Sequence, residues 1–138
     1  MLEIRDIYKT FNPGTINEKK ALNGLSLKLE DGDFVTVIGG NGAGKSTMLN
    51  AVSGVWPVDA GSIIIDGQDV TGIPDFKRAG MVGRVFQDPM TGTAATMEIE
   101  ENLALANRRG QKRGIRWGIT AKERAQYREQ LKVLDLGL

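Results

Sequence analysis

The chain has 138 residues, 41% of them hydrophobic and 25% charged, with 18 basic and 17 acidic side chains and neither cysteine nor histidine. That length allows one ordinary soluble domain and little more. The two zero counts exclude disulfides, thiolate-bound metals, thiol nucleophiles and every use of imidazole as base or ligand.

Catalysis would have to rest on carboxylates, lysine, hydroxyls, backbone amides or a bound ion. The longest strongly apolar run, Phe34 to Ile38, is interrupted by Thr36, far short of the roughly 20 residues of a membrane span. Glu3, Arg5 and Asp6 stand where a secretory signal would carry a basic segment and an apolar core, so a cytoplasmic chain is expected.

Leu2, Ile4 and Ile7 suggest an opening strand, and Asn12-Pro13-Gly14-Thr15 a turn. Leu25, Leu27 and Leu29 alternate with Ser26 and Lys28 as a half-buried strand does, and Asp31-Gly32-Asp33 turns the chain. Phe34 to Ile38 is short, β-branched and nearly continuously apolar, which predicts a strand buried on both faces of a parallel sheet. A helix is expected from Lys45 to about Ser53, stopped by Gly54 and Pro57.

Ser62 to Asp66 reads as a further strand. Asp66-Gly67 is a hairpin signal, with a return strand over Gln68 to Thr71. Asp75 to Ala79 suits one or two helical turns, and Met81 to Phe86 is strand-like. Ile99, Leu103 and Ala106 recur at helical spacing, as do Tyr127, Leu131 and Leu134. Thr120 with Glu123 forms a capping-box pattern for the second of these helices, and Gly137 is its expected terminator.

Near-neutrality hides an asymmetry. Residues 1–69 carry net −3 and residues 70–138 net +4. Most of the excess lies in Arg108, Arg109, Lys112, Arg113, Arg116, Lys122, Arg124 and Arg128, which face only Glu123 between Asn107 and Arg128. A solvated loop-and-helix face is favoured over a nucleic-acid or acidic-lipid contact.

Gly39-Gly40-Asn41-Gly42-Ala43-Gly44-Lys45-Ser46 satisfies G-x-x-x-x-G-K-[ST] after an expected strand and before an expected helix, the setting of a phosphate-binding loop. Glycines let the backbone close round a phosphate so that successive N–H groups converge on its oxygens. Lys45 would serve the β- and γ-phosphates, Ser46 would offer its hydroxyl to Mg²⁺, and Thr47 would reach the α-phosphate. The dinucleotide pattern G-x-G-x-x-G occurs in no register of this stretch.

With Ala21-Leu22-Asn23-Gly24-Leu25-Ser26-Leu27 and Asp31-Gly32-Asp33-Phe34 before the loop, the chain resembles the start of an ATP-binding cassette (ABC) transporter ATPase. Ala60 to Gly67, Val85-Phe86-Gln87-Asp88-Pro89 and Glu101-Asn102-Leu103-Ala104 extend the resemblance over essentially the whole chain. The resemblance implies an α/β P-loop NTPase of ABC type, with an antiparallel β subdomain and the start of a helical subdomain, incomplete. Residues 1–96 would form the N-terminal part of the nucleotide-binding core and residues 97–138 the start of the helical subdomain.

It further implies ATP and Mg²⁺ as cofactors. Phe11 would stack on adenine, with Tyr8 the competing candidate. Gly39, Gly40, Asn41, Gly42, Ala43, Gly44, Lys45, Ser46 and Thr47 would hold the phosphates. Gln87 would reach the metal and the attacking water. The implied partners are transmembrane permease subunits, a second ATP-binding subunit in a head-to-tail dimer and, for an importer, a substrate-binding protein. The implied place is the inner face of the cell membrane, held peripherally.

Asp66 at the end of Ser62-Ile63-Ile64-Ile65 superficially resembles a Walker B aspartate, but it runs straight into Gly67, so a hairpin of the antiparallel subdomain is preferred. The family's Leu-Ser-Gly-Gly-Gln signature, Walker B Asp-Glu and switch histidine are absent from these residues. The 138-residue chain is therefore expected to lack hydrolysis by itself. The alternative, an ABC ATPase acting with nucleic acid or the ribosome, would use the basic segment. The loop from Asn12 to Glu18 and the stretch from Gly83 to Pro89 resemble ATPases of bacterial importers for amino-acid-like solutes.

Overall fold

The computed structural model describes residues 1–112, 114, 115 and 118–134. Its first unit, residues 1–82, is built on a four-stranded sheet of order β2-β1-β3-β4, every pair antiparallel. The strands are β1 (Leu2–Phe11), β2 (Lys19–Leu29), β3 (Ala60–Ile65) and β4 (Gln68–Asp69). Between β2 and β3 runs α1 (Lys45–Ser53), and α2 (Asp75–Arg78) follows β4.

Ile4 and Ile7 are both buried, at 2% and 0% exposure, although three residues apart in a strand whose side chains alternate. A bulge reconciles them. Asp6 takes a φ of +44°, and both neighbouring ladders shift register between Ile4 and Tyr8. The extra residue returns Ile7 to the inner face. The Asp6 peptide N–H donates to Ser26 Oγ at 2.9 Å, and that hydroxyl donates back to Asp6 Oδ1. The bulge also thrusts backbone toward β3, where a Cβ on Gly61 would stand 2.3 Å from Asp6 O and 2.5 Å from Arg5 O. Only glycine fits there, at a φ of +87°.

Asp66 and Gly67, at φ of +48° and +78°, form the tight turn joining β3 to β4. The antiparallel hairpin reading of Ser62 to Asp66 therefore holds, although the return strand is only Gln68–Asp69. The helix after the glycine loop has the expected bounds, and Gly54 ends it at a φ of +83° with its N–H on Ala51 O. Met48 and Ala51 of α1 join Ile4, Ile7, Leu22, Ile63, Ile65 and Val70 in one core, so the helix lies on the inner face of the sheet.

Two expected strands do not form. Phe34 to Ile38 has no ladder, and Phe34 and Ile38 are 94% and 88% exposed. Met81 to Phe86 likewise carries no strand, and Val85 is 98% exposed. A doubly buried parallel strand exists only between parallel neighbours that take up its N–H and C=O groups. Among the described residues every paired strand is antiparallel and belongs to the β2-β1-β3-β4 sheet.

The second unit comprises residues 83–138. It contains a short 3₁₀ turn, Pro89–Gly92, and two helices, α3 (Ile99–Asn107) and α4 (Ala121–Lys132). Both helices were legible from their periodicity, but the buried face of α3 centres on Ala104, at 4% exposure, whereas Ile99 is 50% exposed. Tyr127 of α4 is buried at 3%. The expected terminator Gly137 lies outside the described residues.

The capping box at α4 forms as expected. Glu123 N–H donates to Thr120 Oγ1, and Glu123 Oε2 accepts from Thr120 N–H at 2.8 Å. With Arg108 Nη2 at 3.1 Å from Oε1, these bonds hold the Glu123 carboxyl down at about 2, the Thr120 backbone N–H contributing most. A depressed carboxyl stabilises the fold above its ordinary value of 4.5 and loses that contribution as pH falls toward 2. Helix content of the second unit followed by circular dichroism should thus fall in that window in the wild type, and Glu123→Gln should flatten the profile. An unchanged profile would remove Glu123 as the source.

Candidate phosphate-binding site

The loop from Gly39 to Gly44 leads into α1, and its geometry follows from its glycines. Gly42 and Gly44 lie in the left-handed region, at φ of +83° and +88°. Ala43 N–H donates to Gly40 O at 3.2 Å, closing a turn, and Met48 N–H donates to Gly44 O at 2.8 Å, starting the helix. Gly44 presses on β2, where a Cβ would stand 2.5 Å from Ala21 O.

No side chain caps α1. Its first amide N–H groups therefore keep the anion-binding character of a helix N-terminus. Lys45 Nζ donates to Gly40 O at 2.8 Å and to Gly39 O, so the ammonium is wrapped by the loop that precedes it. An arriving polyphosphate would replace those two carbonyls as its partners. Ser46 is exposed and Thr47 buried at 9%.

Phe11 ends β1, opposite Lys19 at the start of β2. Its ring meets Trp56 edge-on, centroids 4.9 Å apart at 77°. Lys9 Nζ stands 5.5 Å from the Phe11 ring centre and 3.4 Å from Asp59 Oδ1. The other Asp59 oxygen accepts from Thr10 N–H at 2.6 Å. The competing Tyr8 lies elsewhere on β1, its hydroxyl against Gly24. Trp56, Lys9 and Asp59 escaped sequence reasoning, and the only hint was a tryptophan placed just after the helix stop at Gly54.

Mg²⁺ binds oxygen ligands, keeps several waters and leans on substrate phosphates. The exposed Ser46 hydroxyl at the helix N-terminus fits such a one-point protein ligand. Among the described residues no cluster of three or more acidic or other metal-ligating side chains offers an alternative site. Gln87 belongs to the second unit, where it is exposed just before Asp88, whose Oδ1 caps the 3₁₀ turn by accepting from Met90 N–H at 2.9 Å.

The basic segment is partly engaged within its own unit. Arg108 donates to Gly118 O and Glu123, and Arg124 binds Glu100 through two nitrogens at 2.6 and 2.8 Å. Glu100, on α3, is thus a counter-charge that the segment's own sequence does not contain. Arg113 and Arg116 lie outside the described residues.

A family model described as "ABC transporter" matches residues 22–137. The chain is 44% identical over 115 residues to a tyrosine transport ATP-binding protein of Clostridioides difficile, covering 80% of this chain and 44% of the relative. It is 37% identical over 108 residues to the spermidine/putrescine import ATP-binding protein PotA of Haemophilus influenzae, covering 78% and 27%. The dimeric structure of the ATP-binding cassette MJ0796 bound to ADP and Pi aligns with a TM-score of 0.77 at 27% identity, covering 99% of this chain and 58% of that one. The chain MJ1267, another ATP-binding cassette, aligns with a TM-score of 0.76 at 26% identity, with 99% and 55% covered. The chain thus spans less than half the length of these curated relatives.

Proposed function

The chain belongs to the ABC transporter family, and we propose that it is the nucleotide-holding part of an ATP-binding subunit that couples ATP binding and hydrolysis to solute transport across a membrane. The observation that carries this reading is the loop itself. A left-handed Gly44 seated on β2, an uncapped α1 and a lysine wrapped by loop carbonyls make a polyphosphate site.

In this reading residues 1–96 form the nucleotide-binding core and residues 97–138 open the helical subdomain. Phe11 stacks on the adenine, and the amides of Gly39 to Thr47 with Lys45 neutralise the phosphates. Ser46 would hold Mg²⁺ together with phosphate oxygens, and the ion would supply charge neutralisation at the transferred group. Gln87, by its place in the family's pattern, would serve the metal and the attacking water.

Permease subunits and a second ATP-binding subunit in head-to-tail arrangement complete the machine, on the inner face of the membrane. No helix among the described residues is long and apolar enough to cross a bilayer, which is consistent with peripheral attachment. An apolar groove lined by Ile99, Leu103, Tyr127 and Leu131 in the second unit supports protein docking there, and the Arg108–Glu123 and Arg124–Glu100 pairs weigh against a nucleic-acid surface. The cargo is read as an amino-acid-like solute taken up by import, supported by the tyrosine-transport relative. Uptake of labelled tyrosine that is unaffected by deleting the gene would reject that class.

Taken alone, the 138-residue chain is proposed to bind nucleotide without turning it over, because no Asp-Glu pair occurs in its sequence to polarise water. Calorimetric titration with MgATP should show binding that Lys45→Ala weakens roughly 10- to 100-fold, the scale of losing charge-assisted bonds. Equal affinity in the variant would overturn the site. Steady ATP turnover by the wild-type chain, abolished by Lys45→Ala, would overturn its proposed inability to hydrolyse.

A further inference from the structure

Lys45 is not the sole cation at the loop. Lys19 opens β2 in register with Phe11, at the end of the β1–β2 ladder that meets the loop. Its ammonium nitrogen lies 3.2 Å from where a Cβ on Gly42 would stand. Gly42 is held at a left-handed φ of +83°, which favours glycine, and the missing side chain also leaves room for the Lys19 ammonium.

Among the described residues no carboxylate or carbonyl is bonded to Lys19, whereas Lys9 has Asp59, Lys28 has Glu30 and Lys132 has Glu129. An ammonium brought against a loop that already holds a lysine and a helix N-terminus is repelled until an anion arrives. Its charge then adds to theirs.

We propose that Lys19 is a second phosphate-contacting lysine, which binds the part of the nucleotide lying between the base on Phe11 and the phosphates in the loop, the α-phosphate and its link to the ribose. The proposal rests on the nucleotide reading of the loop and adds a residue to it. Lys45 serves the β- and γ-phosphates. Lys19 serves the phosphate that ADP and ATP share in position and charge, so it raises affinity for both by a similar factor and does nothing for adenosine.

The test is calorimetric titration of the 138-residue chain with ATP, ADP and adenosine, for wild type, Lys19→Met, Lys19→Arg and Lys45→Ala. Lys19→Met should weaken ATP and ADP alike, by roughly five- to tenfold, with a shallower salt dependence and an unchanged thermal midpoint. Lys19→Arg should restore most of the loss. Wild-type affinity for ATP and ADP in a folded Lys19→Met overturns the proposal while leaving the nucleotide reading intact, as does a loss confined to ATP. Absence of nucleotide binding by the wild type, or a loss that Lys45→Ala does not share, overturns both.

Discussion

Replacing Arg78 by methionine is expected to lower the unfolding free energy of the first unit by about 3–5 kcal/mol. Arg78 is 2% exposed, yet among the described residues its guanidinium faces no carboxylate at bonding distance. Nε donates to Ile73 O at 2.7 Å, Nη1 to Ala51 O and Val52 O at 2.9 and 3.0 Å, and Nη2 to Thr71 O at 3.1 Å. Burial pulls the guanidinium below its ordinary value, with Asp69 opposing the shift. Arginine nevertheless stays charged at neutral pH.

Two of those four carbonyls are the terminal acceptors of α1, which every α-helix leaves without intrahelical partners. A cation there also meets the negative end of the helix dipole. Methionine fills similar space but donates to none of the four carbonyls. Ala51 O keeps the Gly54 N–H, while the part-buried oxygens of Val52, Thr71 and Ile73 lose their side-chain donor, each at a cost of about 1–3 kcal/mol before solvent relieves part of it. Since whole domains are stable by only about 5–15 kcal/mol, the change should be large in a thermal melt. Lysine, a point donor without the planar fork, should recover only part of it. Hydrogen exchange should show the loss first in the last turn of α1. An Arg78→Met protein whose melting midpoint matches that of the wild type would refute the clasp.

The contrast between Arg78 and α1 shows what a linear reading can reach. The bounds of α1, the turn at Asp66-Gly67 and the capping box at Thr120 depend on residues within four positions of one another, so local chemistry decides them. The phosphate loop is likewise contiguous, and its residues could be named from their order alone. Arg78 reads locally as the exposed end of a polar turn, Asp75–Arg78, and is buried only because two α1 carbonyls from 26 and 27 positions earlier in the chain converge on it.

Non-local partners govern the remaining differences too. Phe34 to Ile38 has every strand propensity, but strand character needs a ladder, and the described residues supply none beside it. Ile7 points inward because Asp6 takes a left-handed conformation, which no apolar period encodes. The companions of Phe11, Trp56 and Lys9, and the place of Lys19 at the loop, arise from the β1–β2 ladder and the packing of the segment after α1. The site's contiguous half was therefore legible and its assembled half was not.

Gly44→Ala should destabilise the first unit and abolish nucleotide binding together, whereas Gly40→Ala should spare the fold. Both positions are glycines of the same loop, so composition cannot separate them. Gly44 has a φ of +88°, and a Cβ there would approach Ala21 O to 2.5 Å and Leu22 Cδ2 to 3.4 Å. The backbone oxygen cannot yield without breaking the seat of the loop on β2. Left-handed strain alone costs about 1–3 kcal/mol, and the clash adds to it. Gly40 has an ordinary φ, and nothing lies within 4 Å of where its Cβ would be. If relief comes by shifting the loop off β2, the N-terminal amides of α1 and the Lys45 ammonium move with it, so affinity falls even in molecules that remain folded. Denaturant titration and MgATP calorimetry on the two variants check this. A Gly44→Ala protein that is as stable as Gly40→Ala and binds ATP normally would mean that the loop does not depend on its contact with Ala21.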